Sequence, residues 1–157
     1  MDIFYALESG ATIVTANSRL SRDLRARFHA RQRDTGRRSW ATPDVLPLTV
    51  FLERLWNDWV YSPKGAGAPV LLSPAQEYAV WESIIGPAPD DRPLLDVPST
   101  AQRVSNAWKI AHDDDLPIRS GEFQASDDCQ AFLGWAREYE QTCLDSRWLG
   151  RATLPGF

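Results

Sequence analysis

Hydroxyl, amide and guanidinium side chains come together in one short run of this sequence, and all three groups can bind phosphate. Eight arginines but no lysine fall between Asn17 and Trp40. Arginine suits this task because its planar guanidinium makes two parallel hydrogen bonds to a phosphate group. The run therefore predicts an anion site. The candidate contacts are Thr15, Asn17, Ser18, Arg19, Arg22 and Arg25.

A plainer interpretation of the same run stays open. Asn17 or Ser18 caps a helix by accepting a backbone hydrogen bond, and exposed arginines keep the surface polar. A GC-rich genome would also favour arginine over lysine. The charge is nevertheless concentrated, since the two acids in this stretch leave a local net charge of about +6, against −4 for the 157 residues.

The run is predicted to be a buried strand followed by a helix. Residues 11–16 are rich in β-branched side chains and bounded by turn formers, which favours a strand. Apolar residues then recur every fourth position at Leu20, Leu24 and Phe28, so we expect them to form the buried face of a helix that closes at Gly36. The arginines should point away from that face. Ligands of open α/β sheets collect at the carboxyl ends of strands, which is where this run places its polar groups.

The whole chain is predicted to be α/β and predominantly helical, with a small parallel sheet flanked by helices. An α/β part over residues 1–61 is followed by a linker over 62–72 and an all-helical lobe over 73–157. The first part also holds a second strand near residues 44–46 and an amphipathic helix over 49–59 whose apolar residues should face the core. In the lobe, capping boxes are expected to begin helices at Ser73 and Ser99, and Ser126 to begin the last helix.

The sequence lacks the residue sets of common catalytic and metal sites. A phosphate-binding loop needs Gly-x-x-x-x-Gly-Lys followed by Ser or Thr, and neither Lys64 nor Lys109 stands in that context. The two histidines are far apart in sequence, and Cys129 and Cys143 have no metal-ligand spacing. We therefore expect no cofactor, no metal and no catalysis by this chain. An enzyme of unrecognised type is kept as a third option.

Charge and hydropathy limit which partners and which cellular compartment the sequence allows us to expect. Residues 1–60 carry nine arginines against seven acids, and residues 61–157 carry eight bases against fourteen acids, so the two parts should face different partners. No stretch reaches the roughly 18 apolar residues of a membrane span. We expect a cytoplasmic protein with no membrane partner.

Several segments, taken in order, resemble the N-terminal region of bacterial probable DNA repair proteins related to AddB. These segments are residues 13–24, 40–48, 51–56, 72–77 and 135–140. Such proteins are longer, with a UvrD-type helicase-like N-terminal part and a PD-(D/E)xK nuclease domain near the C-terminus. The resemblance implies a partial helicase-like core of the P-loop type, without its ATP loop, over residues 1–61. It also implies that the nuclease lies outside this chain, which would be a fragment or truncated product.

By this resemblance, residues 15–22 match a segment that grips single-stranded DNA. Residues 48–49 match a later segment that touches backbone phosphate, which adds Thr49 to the candidate contacts. The helical lobe matches an insertion in the first helicase domain. The leading hypothesis is therefore a non-catalytic, helicase-like domain of a DNA repair protein that binds single-stranded DNA. The alternative is a protein-interaction scaffold that docks on the remainder of a helicase-nuclease or on a helicase partner, without touching DNA.

Overall fold

The computed structural model describes residues 2–86, 96–118 and 126–156. The chain forms two compact units, Met1–Ala66 and Gly67–Phe157. We refer to them as the N-terminal unit and the C-terminal unit. Helices dominate both units, in agreement with the sequence-based prediction.

The N-terminal unit is a two-stranded parallel sheet with flanking helices. Its elements in chain order are α1 (Ile3–Glu8), β1 (Ile13–Thr15), α2 (Ser18–Asp34), β2 (Val45–Pro47), α3 (Leu48–Val60) and a 3-10 turn (Pro63–Gly65). β1 pairs with β2 in parallel, with Ile13 opposite Val45 and Thr15 opposite Pro47. The small parallel sheet predicted from the sequence is thus confirmed.

The core of this unit is small and includes polar side chains. Leu7, Phe28 and Val45 are buried together, and Leu24 packs against them. Leu20, predicted to share the buried face, is 43% exposed, whereas the polar Ser21 and Gln32 are buried. The prediction failed at Leu20 because a four-residue spacing drifts by about 40° per step around a helix of 3.6 residues per turn.

The C-terminal unit contains three long helices and one pair of short strands. Its elements are β3 (Val70–Leu71), α4 (Pro74–Ile85), α5 (Val97–Asp113), α6 (Asp127–Ser146), β4 (Trp148–Leu149) and a 3-10 turn (Leu154–Gly156). β3 pairs with β4 in parallel. The predicted all-helical lobe is therefore wrong, because strands of two residues are too short to show an alternating pattern. β3 and the 3-10 turn of residues 63–65 fall within the predicted linker, residues 62–72.

Three aromatic rings form the centre of the C-terminal core. Trp81 of α4 stacks on Tyr139 of α6, with ring centroids 4.1 Å apart and planes 6° from parallel. Trp108 of α5 meets both rings edge-on, at 6.0 Å and 5.8 Å. All three side chains are buried, so each long helix contributes one aromatic to a shared core.

Helix caps follow the sequence prediction in two cases and depart from it in one. Ser73 and Gln76 form the predicted capping box of α4, and Ser126 caps α6. The box at Ser99 is wrong, since α5 begins two residues earlier, at Val97. Asp96 is its N-cap, and the Asp96 carboxylate accepts hydrogen bonds from the Ser99 backbone N–H at 3.0 Å and from the Ser99 hydroxyl at 2.5 Å.

Candidate phosphate-binding edge

Two helices begin at the same edge of the N-terminal sheet. Thr15 and Pro47 are the last residues of the parallel strands and lie opposite each other. α2 follows the first of these strand ends and α3 follows the second. The structure thus brings Thr49, in the first turn of α3, to the edge that holds the candidates of α2. We call residues 17–22 and 48–49 the binding edge.

Thr15 lies beneath the binding edge and stabilises the fold. Its side chain is only 5% exposed. Thr15 Oγ1 lies 2.6 Å from Ser21 Oγ, 3.0 Å from the Asn17 carbonyl oxygen and 3.3 Å from the Leu46 carbonyl oxygen. A buried hydroxyl with these partners has no open direction toward a phosphate. Thr15 therefore anchors the strand-to-helix turn, in place of the predicted phosphate contact.

Asn17 is the cap of α2, as in the plainer interpretation of the sequence. Its Oδ1 accepts a hydrogen bond from the Leu20 backbone N–H at 2.9 Å. Asn17 has an extended backbone, as N-cap residues usually do. Ser18 is exposed and starts the helix. The cap uses the side-chain oxygen of Asn17 and leaves the Ser18 hydroxyl at the surface.

The start of α3 is open to an anion. Pro47 is its N-cap residue, and no side chain within residues 2–86, 96–118 and 126–156 caps the first amide groups of this helix. Thr49 is exposed within this first turn. Neither α2 nor α3 carries an acid in its first turn. Because helix N-termini carry partial positive charge and free N–H donors, this edge of the sheet favours negative groups.

Four arginines between residues 17 and 40 are held by ion pairs or by hydrogen bonds no longer than 3.0 Å. Their partners are the Val45 carbonyl oxygen for Arg25, Asp23 for Arg27, Asp2 for Arg31 and Gln32 for Arg37. Arg25 was predicted to point outward, but its side chain is partly buried and links α2 to β2. Its Nε is buried and has no hydrogen-bond partner among the residues that the structure describes. Arg25 therefore does not belong to the exposed site, because its backbone partner turns it toward the sheet.

Three other arginines share the outer face of α2. Arg19, Arg22 and Arg33 are exposed, and none of them forms an ion pair with an acid in the part of the chain that the structure describes. Arg22 Nε donates a hydrogen bond to the Ser18 carbonyl oxygen at 3.4 Å. Their spacing places them within about 60° of one another around the helix, over a length of about 21 Å. We call these three residues the arginine face.

α3 exposes apolar side chains, and two of them, Leu55 and Trp59, belong to the helix of residues 49–59 that was expected to face the core. Trp56 is buried, whereas Leu48, Leu55 and Trp59 are 49%, 47% and 37% exposed. These three positions lie on one side of the helix, because they are seven and four residues apart. Periodicity identified the apolar face correctly. It could not show how far each of these side chains is exposed in the folded chain.

The C-terminal unit holds a buried cluster of ionisable side chains beside a cleft of about 290 Å³. Tyr139 Oη donates to Glu77 Oε1 at 2.8 Å, and burial raises the pKa of Tyr139 far above its usual value. Burial likewise raises the pKa of the Cys143 thiol. Reactive cysteines have lowered pKa values, so this cluster has the character of a structural hydrogen-bonded core.

Neither comparison with protein-family models nor searches of curated proteins and solved structures gave a match for this chain. Within residues 2–86, 96–118 and 126–156, no group of three or more His, Cys, Asp or Glu side chains is placed to hold a metal ion. Among the helices of these same ranges, none combines the length and apolarity needed to cross a membrane.

Proposed function

We propose that the N-terminal unit binds the backbone of single-stranded DNA at the binding edge, as a non-catalytic, helicase-like domain of a DNA repair protein. The observation that carries this proposal is the combination, at one edge, of the α3 N-terminus, where no side chain of the described residues forms a cap, with Arg19 and Arg22, which form no ion pair within residues 2–86, 96–118 and 126–156. Such an edge offers backbone N–H donors and guanidinium groups to the same phosphate chain.

The distribution of charge supports the same proposal. The N-terminal unit has ten basic and seven acidic residues, and the C-terminal unit has seven basic and fourteen acidic residues. A polyanion is therefore attracted to the first unit and repelled by the second. The resemblance of residues 13–24 and 40–48 to AddB-related proteins is our reason for proposing that this polyanion is DNA and that the protein acts in DNA repair. We also place the protein in the cytoplasm, where the free thiols of Cys129 and Cys143 would stay reduced.

A salt titration tests the proposal directly. Affinity for a fluorescent oligo-dT is measured over a range of salt concentrations for the full chain and for the Arg19→Ala, Arg22→Ala double variant. Each phosphate neutralised contributes about 0.7 to the slope of log affinity against log salt for a single strand, so the double variant should lose about 1.4 from the slope.

The matched control removes the same charge elsewhere. Arg103 and Arg137 are exposed arginines of the C-terminal unit, and replacing both by alanine changes the net charge equally. This control should keep the slope of the wild-type chain. An unchanged slope in the Arg19, Arg22 variant, or an equal loss in both double variants, would exclude the binding edge as the site.

The exposed apolar side of α3 favours a second candidate function, the protein-interaction scaffold. Leu48, Leu55 and Trp59 would dock on the remainder of a helicase-nuclease or on a helicase partner, since apolar patches of this kind mark protein contacts. Binding of the apolar dye bis-ANS, with a Leu55→Ser variant as comparison, measures this surface. Dye binding that depends on Leu55, together with no salt-dependent DNA binding, would favour the scaffold over the DNA-binding domain.

A further inference from the structure

We infer that the binding edge and the arginine face recognise the phosphodiester backbone alone, without reading the base or the sugar. This inference rests on the proposed function. It defines the ligand class as any flexible single-stranded phosphodiester, so that DNA, RNA and a strand without bases should bind with similar affinity.

Within residues 18–34, which form α2, no aromatic ring is available for a base to stack on. Proteins that read or grip bases in single strands stack them on exposed aromatic rings. Phe28 and His29 are the two aromatic residues of α2. Phe28 is 3% exposed, and His29 Nδ1 accepts a hydrogen bond from Trp40 Nε1 at 2.7 Å while its ring lies beside Trp40. Both rings therefore make contacts within the folded chain and are not positioned to stack on a base.

The exposed arginines and the helix N-termini present hydrogen-bond donors. Arginine side chains and helix N–H groups are donors only, and they match the acceptor oxygens that every phosphodiester carries. Ala26 and Ala30 lie between the arginines on the same side of α2, and alanine has no side-chain polar group to test a base edge. Asp23, an acceptor on this side of the helix, is held by Arg27 at 2.8 Å. Ser18 and Thr49 add two exposed hydroxyls, which can donate as well as accept, so hydrogen-bond donors predominate on this surface.

Three aromatic residues among residues 2–66 are exposed, and each lies away from the binding edge. Trp59 is 37% exposed but lies near the carboxyl end of α3, about 15 Å along that helix from Thr49. Tyr61 is 88% exposed but follows the carboxyl end of α3, about 18 Å along that helix from its first turn. Tyr5 is 69% exposed on α1, whose Asp2 and Glu8 bind Arg31 and Gln32 near the carboxyl end of α2. Neither tyrosine lies at the binding edge.

Three probes of equal length test the inference: oligo-dT, oligo-U and an abasic phosphodiester, each titrated with the full chain at one salt concentration. Their affinities should agree within about threefold, because counterion release depends on the number of phosphates. The Tyr5→Ala and Tyr61→Ala variants should bind all three probes like the wild type. The Arg19→Ala, Arg22→Ala variant should lose affinity for all three in equal proportion.

Two outcomes would overturn the inference while leaving the proposed function intact. An affinity for oligo-dT at least ten times higher than for the abasic strand would show base contacts. So would a tenfold loss of oligo-dT affinity in the Tyr5→Ala or the Tyr61→Ala variant. A tenfold difference between oligo-dT and oligo-U would show that the sugar is read. Binding of none of the probes, or binding unaffected by the arginine replacements, would instead overturn the proposed function, and the inference with it.

Discussion

Replacing Gly150 by alanine is expected to destabilise the C-terminal unit through one identifiable contact. A Cβ at this position would lie 2.5 Å from Tyr139 Oη and 3.2 Å from Glu77 Oε1. The hydroxyl cannot easily move away, because it donates to that carboxylate at 2.8 Å and both residues are buried. Overpacking of this kind costs about 1–3 kcal/mol of unfolding free energy.

A second replacement isolates the cause. Tyr139→Phe removes the hydroxyl and leaves the Glu77 carboxylate without this donor, which by itself should cost about 1–3 kcal/mol. It also removes the atom closest to the added Cβ at position 150, so that the next contacts lie at 3.2 Å and 3.4 Å. The two changes should therefore cost less together than the sum of their separate costs, by about 1 kcal/mol or more.

The measurement is urea-induced unfolding of the full chain, followed by tryptophan fluorescence, for the wild type, both single variants and the double variant. Gly134→Ala is the matched control, because a Cβ there meets nothing within 4 Å and the residue lies inside α6. The free energy of unfolding of that variant should be about 0.5–1 kcal/mol higher than that of the wild type, since alanine favours helix more than glycine does. Additive costs for positions 139 and 150, or a Gly150→Ala variant as stable as the control, would refute the packing argument.

Three further predictions concern the N-terminal unit. Asn17→Ala should lower the free energy of unfolding by about 1 kcal/mol, because it removes the cap of α2, whereas Asn17→Asp should keep the cap and the stability. Thermal unfolding of the two variants distinguishes these results. Gly65→Ala should lower the free energy of unfolding in urea by about 1–3 kcal/mol, because its Cβ would clash with the backbone carbonyl oxygens of Val60 and Trp59; wild-type stability would contradict this. The hydrogen bond from Thr12 lowers the pKa of Asp44, so its ionised form stabilises the fold above the unfolded-state pKa of about 3.9, and this contribution disappears as the pH falls through the lower folded-state pKa. Urea midpoints measured from about pH 5 to pH 2 should therefore fall more steeply for the wild type than for Asp44→Asn, and equal slopes would count against the assignment.

Local elements were predictable because their signals lie in consecutive residues. The box of Ser73 and Gln76 and the cap at Ser126 each involve residues three or fewer positions apart, and both were read correctly. The Ser99 box failed although its pattern was equally good, because Asp96 offered a competing carboxylate three residues earlier. Pattern alone does not decide between two adjacent caps.

The sequence predicted where the candidate site lies, but only some of the residues that form it. Sequence order placed the polar run between β1 and α2, and the parallel pairing of β1 with β2 brought Thr49 to the same edge. Sequence order did not show which arginines are free. Arg25 and Arg31 are held by the Val45 carbonyl oxygen and by Asp2, which the folded chain brings to them from other elements.

The sequence by itself determined the helices, the strand-to-helix turn and the concentration of arginine in α2, because helical periodicity, caps and charge are properties of neighbouring residues. Tertiary structure decided the pairing of β3 with β4, the burial of Thr15 and the exposure of Leu55 on α3. Each of these depends on whether a distant segment covers or contacts a given face. A periodic pattern shows that a face is apolar or charged, but only the packing of the chain shows what lies against it.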